Sequence, residues 1–72
     1  MNIPVKIEVG CDVKVVLDMA TYRDFDGVVE RVKPNKTYDV LINGKSRLIH
    51  ITGIMEFTFG GIWVTNPSFP GW

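Results

Sequence analysis

The sequence predicts an all-β fold, a small and strongly bent five-stranded barrel. Asn43-Gly44 separates two runs rich in β-branched and aromatic residues, which is the pattern of a tight hairpin. Other short segments alternate apolar and polar side chains between turn signals, and none has the 3.6-residue period of a helix. With 72 residues and one cysteine, the chain is expected to form a single domain without an internal disulfide.

The first ten residues are predicted to form an extended N-terminal arm or strand. Their alternating apolar residues are Ile3, Val5, Ile7 and Val9. Pro4 would confine such a strand to the edge of a sheet, because proline has no N–H to donate. We therefore assign residues 1–10 to an arm, residues 11–59 to the barrel and residues 60–72 to a C-terminal tail.

The barrel strands follow one another with short connections. Val13, Val15 and Leu17 alternate in the first strand, and the polar segment 18–24 forms a turn. A second strand extends from Phe25 to Lys33, and Gly27 within it indicates a sharp bend. Pro34-Asn35 signals the next turn. After the hairpin, residues 54–59 form the fifth strand, and Gly60-Gly61 ends it before an aromatic, proline-containing tail with no clear element.

The Asn43-Gly44 turn also predicts how the third and fourth strands pair. A two-residue type I′ turn requires positive φ at both positions, and it fixes the register of the strands that it joins. Thr37 should then lie opposite His50. One face should carry the apolar side chains, Tyr38, Val40, Ile42, Ile49 and Ile51, and the other face Thr37, Asp39, Leu41, Leu48, His50 and Thr52.

The formal net charge of zero conceals a local excess of positive charge. Residues 31–50 contain five lysine and arginine residues and only one acidic residue, whereas residues 1–30 contain twice as many acidic as basic residues. Such a basic segment can attract polyanions even in a neutral chain. The alternative is that these lysines and arginines only solvate strand ends.

Several function classes are not expected. The chain has one histidine and one cysteine, so we predict no metal site, no cofactor and no catalysis. Cys11 is interpreted as a small packing residue. The N-terminus is too short and too charged for a signal peptide, and no apolar run reaches the roughly 18 residues of a membrane helix. We therefore expect a cytoplasmic protein without membrane contact.

Two sequence motifs stand out. The first is Val13-x-Val15-x-Leu17 followed by Phe25-x-Gly27-x-Val29, and the second is Ile51-Thr52-Gly53. They resemble the motifs of the Sm-like family, which includes the Sm, LSm and Hfq proteins, and in particular its phage-type members; the second is similar to the family's Ile-Arg-Gly. The resemblance covers about residues 11–59. The sequence differs in that Thr52 replaces the arginine, and Lys33 replaces the acidic residue that normally ends the second strand.

The resemblance implies a homo-oligomeric ring that binds single-stranded RNA or DNA. In such rings the turn after the second strand and the turn after the fourth lie together at the pore and hold a base between them. The same positions here predict a nucleic-acid site made of Lys33, Asn35, Lys36, Thr37, His50, Thr52 and Gly53. Closed symmetry favours a ring, which the resemblance puts at about five to seven subunits.

Two questions remain open from the sequence. The same barrel surfaces would also suit a protein-interaction or virion-structural module without nucleic-acid binding, because one fold hosts many functions. The aromatic residues Trp63, Phe69 and Trp72 could cover the barrel, line a subunit interface or stack on bases, and we favour packing or an interface.

Overall fold

A computed structural model describes residues 5–71, and within this range the protein is all-β. Its elements are β1 (Asp12–Val16), β2 (Asp24–Lys33), β3 (Thr37–Ile42), β4 (Lys45–His50), a 3-10 turn (Ile51–Gly53), β5 (Ile54–Phe59) and β6 (Ile62–Thr65). The strands form one antiparallel sheet in the order β4-β3-β2-β1-β5-β6. The sheet is not closed, so β4 and β6 are its two edges.

The β3–β4 hairpin confirms the predicted register. All six pairs agree, from Ile42 opposite Lys45 at the turn to Thr37 opposite His50 at the far end. Asn43 and Gly44 have φ of 50° and 77°, as a type I′ turn requires. The predicted apolar face is also confirmed, because Tyr38, Val40, Ile42 and Ile49 are buried and Ile51 is half-buried.

The core lies on one face of the sheet. Its buried cluster consists of Ile7, Val13, Val15, Val29, Tyr38, Val40, Ile42, Ile49, Ile54 and Phe57. Gly27 lies on this face, where the side chains of β3 approach the backbone of β2. A Cβ on Gly27 would lie 2.6 Å from Val40 Cγ1 and 3.0 Å from the carbonyl oxygen of Leu41. The glycine is therefore required for packing across β2 and β3.

The prediction of five strands is wrong, because residues 62–65 form a sixth strand in the segment that we assigned to an unstructured tail. Gly60 and Gly61, with φ of 61° and 80°, join β5 to β6 through a second two-residue turn. Gly-Gly between two apolar runs is itself a hairpin signal. We interpreted it only as the end of β5, because the prolines that follow obscured the short run Ile62–Thr65.

Both termini of the described chain pack on the sheet without extending it. Residues 5–8 form no strand, although Ile7 is buried while Val5 and Val9 are exposed. The strict alternation in the arm thus does not correspond to a common face, and Ile3 and Pro4 lie outside the described residues. After β6, Phe69 is 2% exposed, so packing is its role, and Trp72 also lies outside the described residues.

Loop 17–23 and the C-terminal segment hold each other in place. Tyr22 donates a hydrogen bond from its hydroxyl to the Gly71 carbonyl over 2.9 Å, and its ring meets Phe69 edge-on at 5.9 Å. β1 ends at Val16, so Leu17, which we predicted within the strand, is 41% exposed at the start of this loop. Within residues 5–71, no helix has the length and apolar character needed to cross a membrane.

Candidate functional site

Two turns meet at the end of β3 that lies opposite Asn43-Gly44. β2 ends at Lys33, residues 34–36 turn the chain, and β3 begins at Thr37. The second turn is the 3-10 turn that follows His50. The backbone N–H of Ile51 donates to the carbonyl oxygen of Lys36 over 2.8 Å, so the two turns are in direct contact. We call residues 33–37 and 50–53 together the turn site.

The turn site exposes four side chains that could contact a ligand. Lys33, Asn35, Lys36 and His50 are exposed. Neither lysine has a carboxylate within ion-pairing distance among residues 5–71; the two ion pairs found there join Lys14 to Asp26 and Arg31 to Asp39. The site therefore presents two uncompensated positive charges beside an amide and an imidazole.

The backbone of this turn is strained at a lysine. Asn35 and Lys36 both adopt the left-handed conformation, with φ of 63° and 57°. Asparagine tolerates this region because its short polar side chain can bond locally. Lysine has no such compensation, and a left-handed residue with a Cβ costs roughly 1–2 kcal/mol. Strain of this kind is held where the surrounding structure imposes it, and it clusters at functional sites.

His50 is oriented by the turn that it caps. The backbone N–H of Thr52 donates to His50 Nδ1 over 3.2 Å, and the Thr52 hydroxyl lies 2.9 Å from the same nitrogen. A backbone N–H can only donate, so Nδ1 acts as the acceptor and the ring proton resides on Nε2. His50 therefore turns an Nε2–H donor away from the backbone that its other nitrogen caps.

The remaining predicted site residues serve the turns themselves. The Thr37 hydroxyl donates to the Pro34 carbonyl oxygen over 2.6 Å. Thr52 is engaged with His50, and Gly53 is half-buried with Ile49 3.4 Å from its would-be Cβ. The structure thus brings all seven predicted residues into one neighbourhood, but Thr37 and Gly53 are half-buried and exposed Thr52 is engaged with His50, so these three shape the site.

Asn66 positions the turn site, and the sequence analysis missed it. Its side chain is buried, and its Nδ2 donates to the carbonyl oxygens of Ile51 and Ile54 over 2.8 and 2.6 Å. These two carbonyls bracket the 3-10 turn, so one amide from beyond β6 fixes its shape. Asn66-Pro67 reads only as a loop signal in sequence, and nothing in it indicates a partner 12 to 15 residues away.

Burial affects two other titratable groups in residues 5–71. Burial raises the pKa of the Cys11 thiol above its ordinary value of 9.0, because the thiolate would lose solvation. Burial likewise raises the pKa of Tyr38. Over the same range, no group of three or more histidine, cysteine or acidic side chains is arranged to hold a metal ion.

A second groove lies on the outer face of the sheet and has the opposite character. It measures about 440 Å³ and exposes Val28, Leu41 and Trp63 between the carboxylates of Asp12 and Asp26. Lys14 is its one cation, and it is engaged twice. Its Nζ lies 3.7 Å from the Asp26 carboxylate and 5.3 Å from the centre of the Trp63 ring. The outer groove is therefore apolar and net acidic.

Comparison with known proteins yields no relative: no family model, no curated protein and no solved structure matches this chain.

Proposed function

We propose that this protein is a non-catalytic, Sm-like binder of single-stranded RNA or DNA that uses the turn site. The observation that carries the proposal is the meeting of two unpaired lysines, an amide and an outward imidazole N–H on two touching turns. Lysines neutralise phosphates, and amide and imidazole groups can hydrogen-bond or stack on an unpaired base. The local excess of positive charge in residues 31–50 supports the same class of ligand.

The strained Lys36 supports the proposal independently. Glycine at this position would relieve the left-handed backbone, as Gly44 does in the hairpin turn at the other end of β3. A lysine there lowers stability and puts a positive charge on the exposed turn. A ligand that needs a cation at this position, such as a phosphate group, accounts for that choice.

Assembly into a ring is the second part of the proposal. The sheet has two unpaired edges, and unpaired edges can pair with another chain. β4 contains Lys45, Arg47 and no carboxylate, so two β4 edges would repel each other, whereas β6 contains no charged residue. Pairing β4 of one copy with β6 of the next is therefore favoured, and repetition of this head-to-tail contact closes a ring of about five to seven copies.

Solution mass tests the ring. Light scattering at micromolar concentration should give a closed oligomer. Ser46→Pro should reduce the mass, because Ser46 lies at a non-hydrogen-bonded position of the β3–β4 ladder and points its N–H to the open edge. Ser46→Ala is the matched control and should leave the mass unchanged. A monomeric wild type would overturn the ring, and a dimer would indicate pairing of two β6 edges instead.

Binding of single-stranded oligonucleotides tests the function. Labelled oligo-U, oligo-A and single-stranded DNA should bind at about 50 mM salt, where phosphate contacts are strongest. The double variant Lys33→Ala/Lys36→Ala should weaken all three alike, with a log–log salt slope shallower by about 1.4, since each contact to a single strand contributes about 0.7. Lys14→Ala is the control for loss of charge away from the site, because Lys14 lies in the outer groove.

Two variants of His50 separate its imidazole contact with a base from its cap on the Thr52 N–H. His50→Asn retains a capping oxygen for the Thr52 N–H and removes the imidazole, whereas His50→Ala removes both. If the imidazole stacks on a base, both variants should lose binding by about 1–3 kcal/mol with little change in salt slope. If only the cap matters, His50→Asn should bind as the wild type does.

A protein-interaction role is the second candidate, and the outer groove favours it. The outer groove exposes Val28, Leu41 and Trp63 next to acidic side chains. A partner with apolar and basic side chains would suit it. If the wild type binds none of the three oligonucleotides at about 50 mM salt, the nucleic-acid proposal fails and this candidate replaces it.

A further inference from the structure

A small cleft lies at the hairpin end of the sheet, far from the turn site. It has a volume of about 230 Å³ and is lined by Leu17, Phe25, Ile42, Asn43, Lys45 and Arg47. We call it the hairpin cleft. It lies at the opposite end of β4 from His50, and five residue steps at about 3.3 Å separate the two ends by roughly 17 Å. The hairpin cleft and the turn site are therefore distinct.

The lining of the hairpin cleft combines an apolar floor with two cations. Ile42 is buried, while Leu17 and Phe25 remain partly open to solvent. Lys45 pairs with Ile42 and Arg47 with Val40, so both cations extend from the core-facing side of β4 toward this floor. No carboxylate lines the cleft, and neither cation has an ion-pair partner among residues 5–71.

A third cation covers the aromatic ring. The Arg23 guanidinium carbon lies 5.1 Å from the centre of the Phe25 ring, which is a cation–π contact. A guanidinium is flat and stacks on planar rings as well as pairing with phosphate. The lining of the cleft thus offers an aromatic side chain and two cations, and Arg23 adds a third cation beside Phe25.

These features define the chemistry of the ligand. The apolar floor requires a planar or apolar part, and the unpaired cations require an anionic part beside it. The cleft is smaller than the roughly 300–1,000 Å³ of most small-molecule sites, so it admits one ring system and leaves the rest of the ligand in solvent. The outer groove does not satisfy these requirements, because two carboxylates line it and its Lys14 is already paired.

We propose that the hairpin cleft is a nucleotide site that takes a base against Leu17 and Phe25 and a phosphate on Lys45 and Arg47. The Asn43 side chain at the rim can hydrogen-bond the edge of the base. The ligand is either a free mononucleotide or one unit of a single strand. In the second case the inference extends the proposed function, since one strand could then contact both the hairpin cleft and the turn site.

Amide chemical shifts test the proposal and locate the ligand. Wild-type protein is titrated separately with UMP, AMP, ribose 5-phosphate, inorganic phosphate and a short oligo-U. We expect the mononucleotides to shift amides of Phe25, Ile42, Lys45 and Arg47. The variant Lys45→Ala/Arg47→Ala should bind them about tenfold or more weakly, because it loses two charged contacts. Both side chains are exposed, so its melting temperature should stay unchanged.

The matched control is Lys33→Ala/Lys36→Ala, which removes the same charge from the turn site and should leave nucleotide binding at the cleft intact. If only oligo-U shifts the cleft amides, the ligand is a polymer. If mononucleotides shift them while no oligonucleotide binds the turn site, this inference is supported and the proposed function is refuted.

Three results would each overturn the inference. The first is that no probe shifts the cleft amides, and the second is that inorganic phosphate gives the same shifts and affinity as the nucleotides. The third is that the turn-site variant also loses binding at the cleft.

Discussion

The turns at the two ends of β3 have similar backbone conformations but different residues. Each end has a tight turn with two consecutive left-handed residues, Asn43-Gly44 at one end and Asn35-Lys36 at the other. The first turn uses glycine at its second position, which adopts this conformation without a steric cost. The second has lysine at this position, and its Cβ makes the left-handed conformation unfavourable. We infer that the glycine of the first turn serves the backbone conformation, whereas the lysine of the second turn serves a contact.

Two glycines near the hairpin end are explained by space or by backbone conformation. Gly27 leaves room for Val40 and Ile42, and nothing lies within 4 Å of a Cβ built on Gly44, so there only the backbone conformation demands glycine. At the turn-site end, by contrast, the left-handed position after Asn35 carries Lys36 and not glycine.

Gly27→Val should be the most damaging single change at the hairpin end. Even a Cβ would meet Val40 at 2.6 Å, and valine adds two methyl groups on a stiff, buried strand. Overpacking of this kind costs up to about 3 kcal/mol. Thermal unfolding measures it, since 1 kcal/mol corresponds to a shift of about 4–8 °C in a domain of this size. Glu30→Val adds the same side chain at an exposed position of β2 and is the control.

Gly44→Val should destabilise the protein by a smaller amount, about 1–2 kcal/mol. The cause here is backbone strain alone, because φ is 77° and the space around the residue is open. Asn43→Gly measures the contribution of the first turn position, and this variant should not destabilise the protein. An unchanged melting temperature in Gly44→Val would mean that the hairpin turn does not depend on its glycine.

The same contrast explains how much of the fold the sequence could predict. The Asn43-Gly44 turn specifies backbone conformation and register together, so the whole β3–β4 pairing and the approach of Thr37 to His50 followed from local rules. β6 follows a Gly-Gly turn of the same kind, but its run of four residues lies between glycines and prolines and gave too weak a pattern. A turn motif therefore predicted the strand pairing only where apolar and polar residues alternated clearly on both sides of the turn.

Long-range features could not be predicted from local patterns. The burial of Ile7 rather than Val5 depends on how the arm crosses the sheet. The role of Asn66 depends on carbonyl groups of a distant 3-10 turn. The hairpin cleft could be predicted only in part. The predicted register already placed Lys45 and Arg47 opposite Ile42 and Val40, whereas the position of Phe25 required the tertiary structure.

Lys36→Gly tests most directly the claim that the turn-site end sacrifices stability for binding. Glycine would relieve the left-handed strain, and after allowance for its greater freedom in the unfolded chain we expect a gain of about 0.5–1 kcal/mol. The same variant should bind single strands more weakly, with a salt slope shallower by about 0.7. Lys14→Ala, which removes a lysine of the outer groove, should not change the salt slope.

Both quantities are measured on one preparation, by thermal unfolding and by oligonucleotide titration at two salt concentrations. We expect Lys36→Gly to have a higher melting temperature together with weaker binding. A melting temperature that does not rise, or binding that equals the wild type across both salt concentrations, would contradict it.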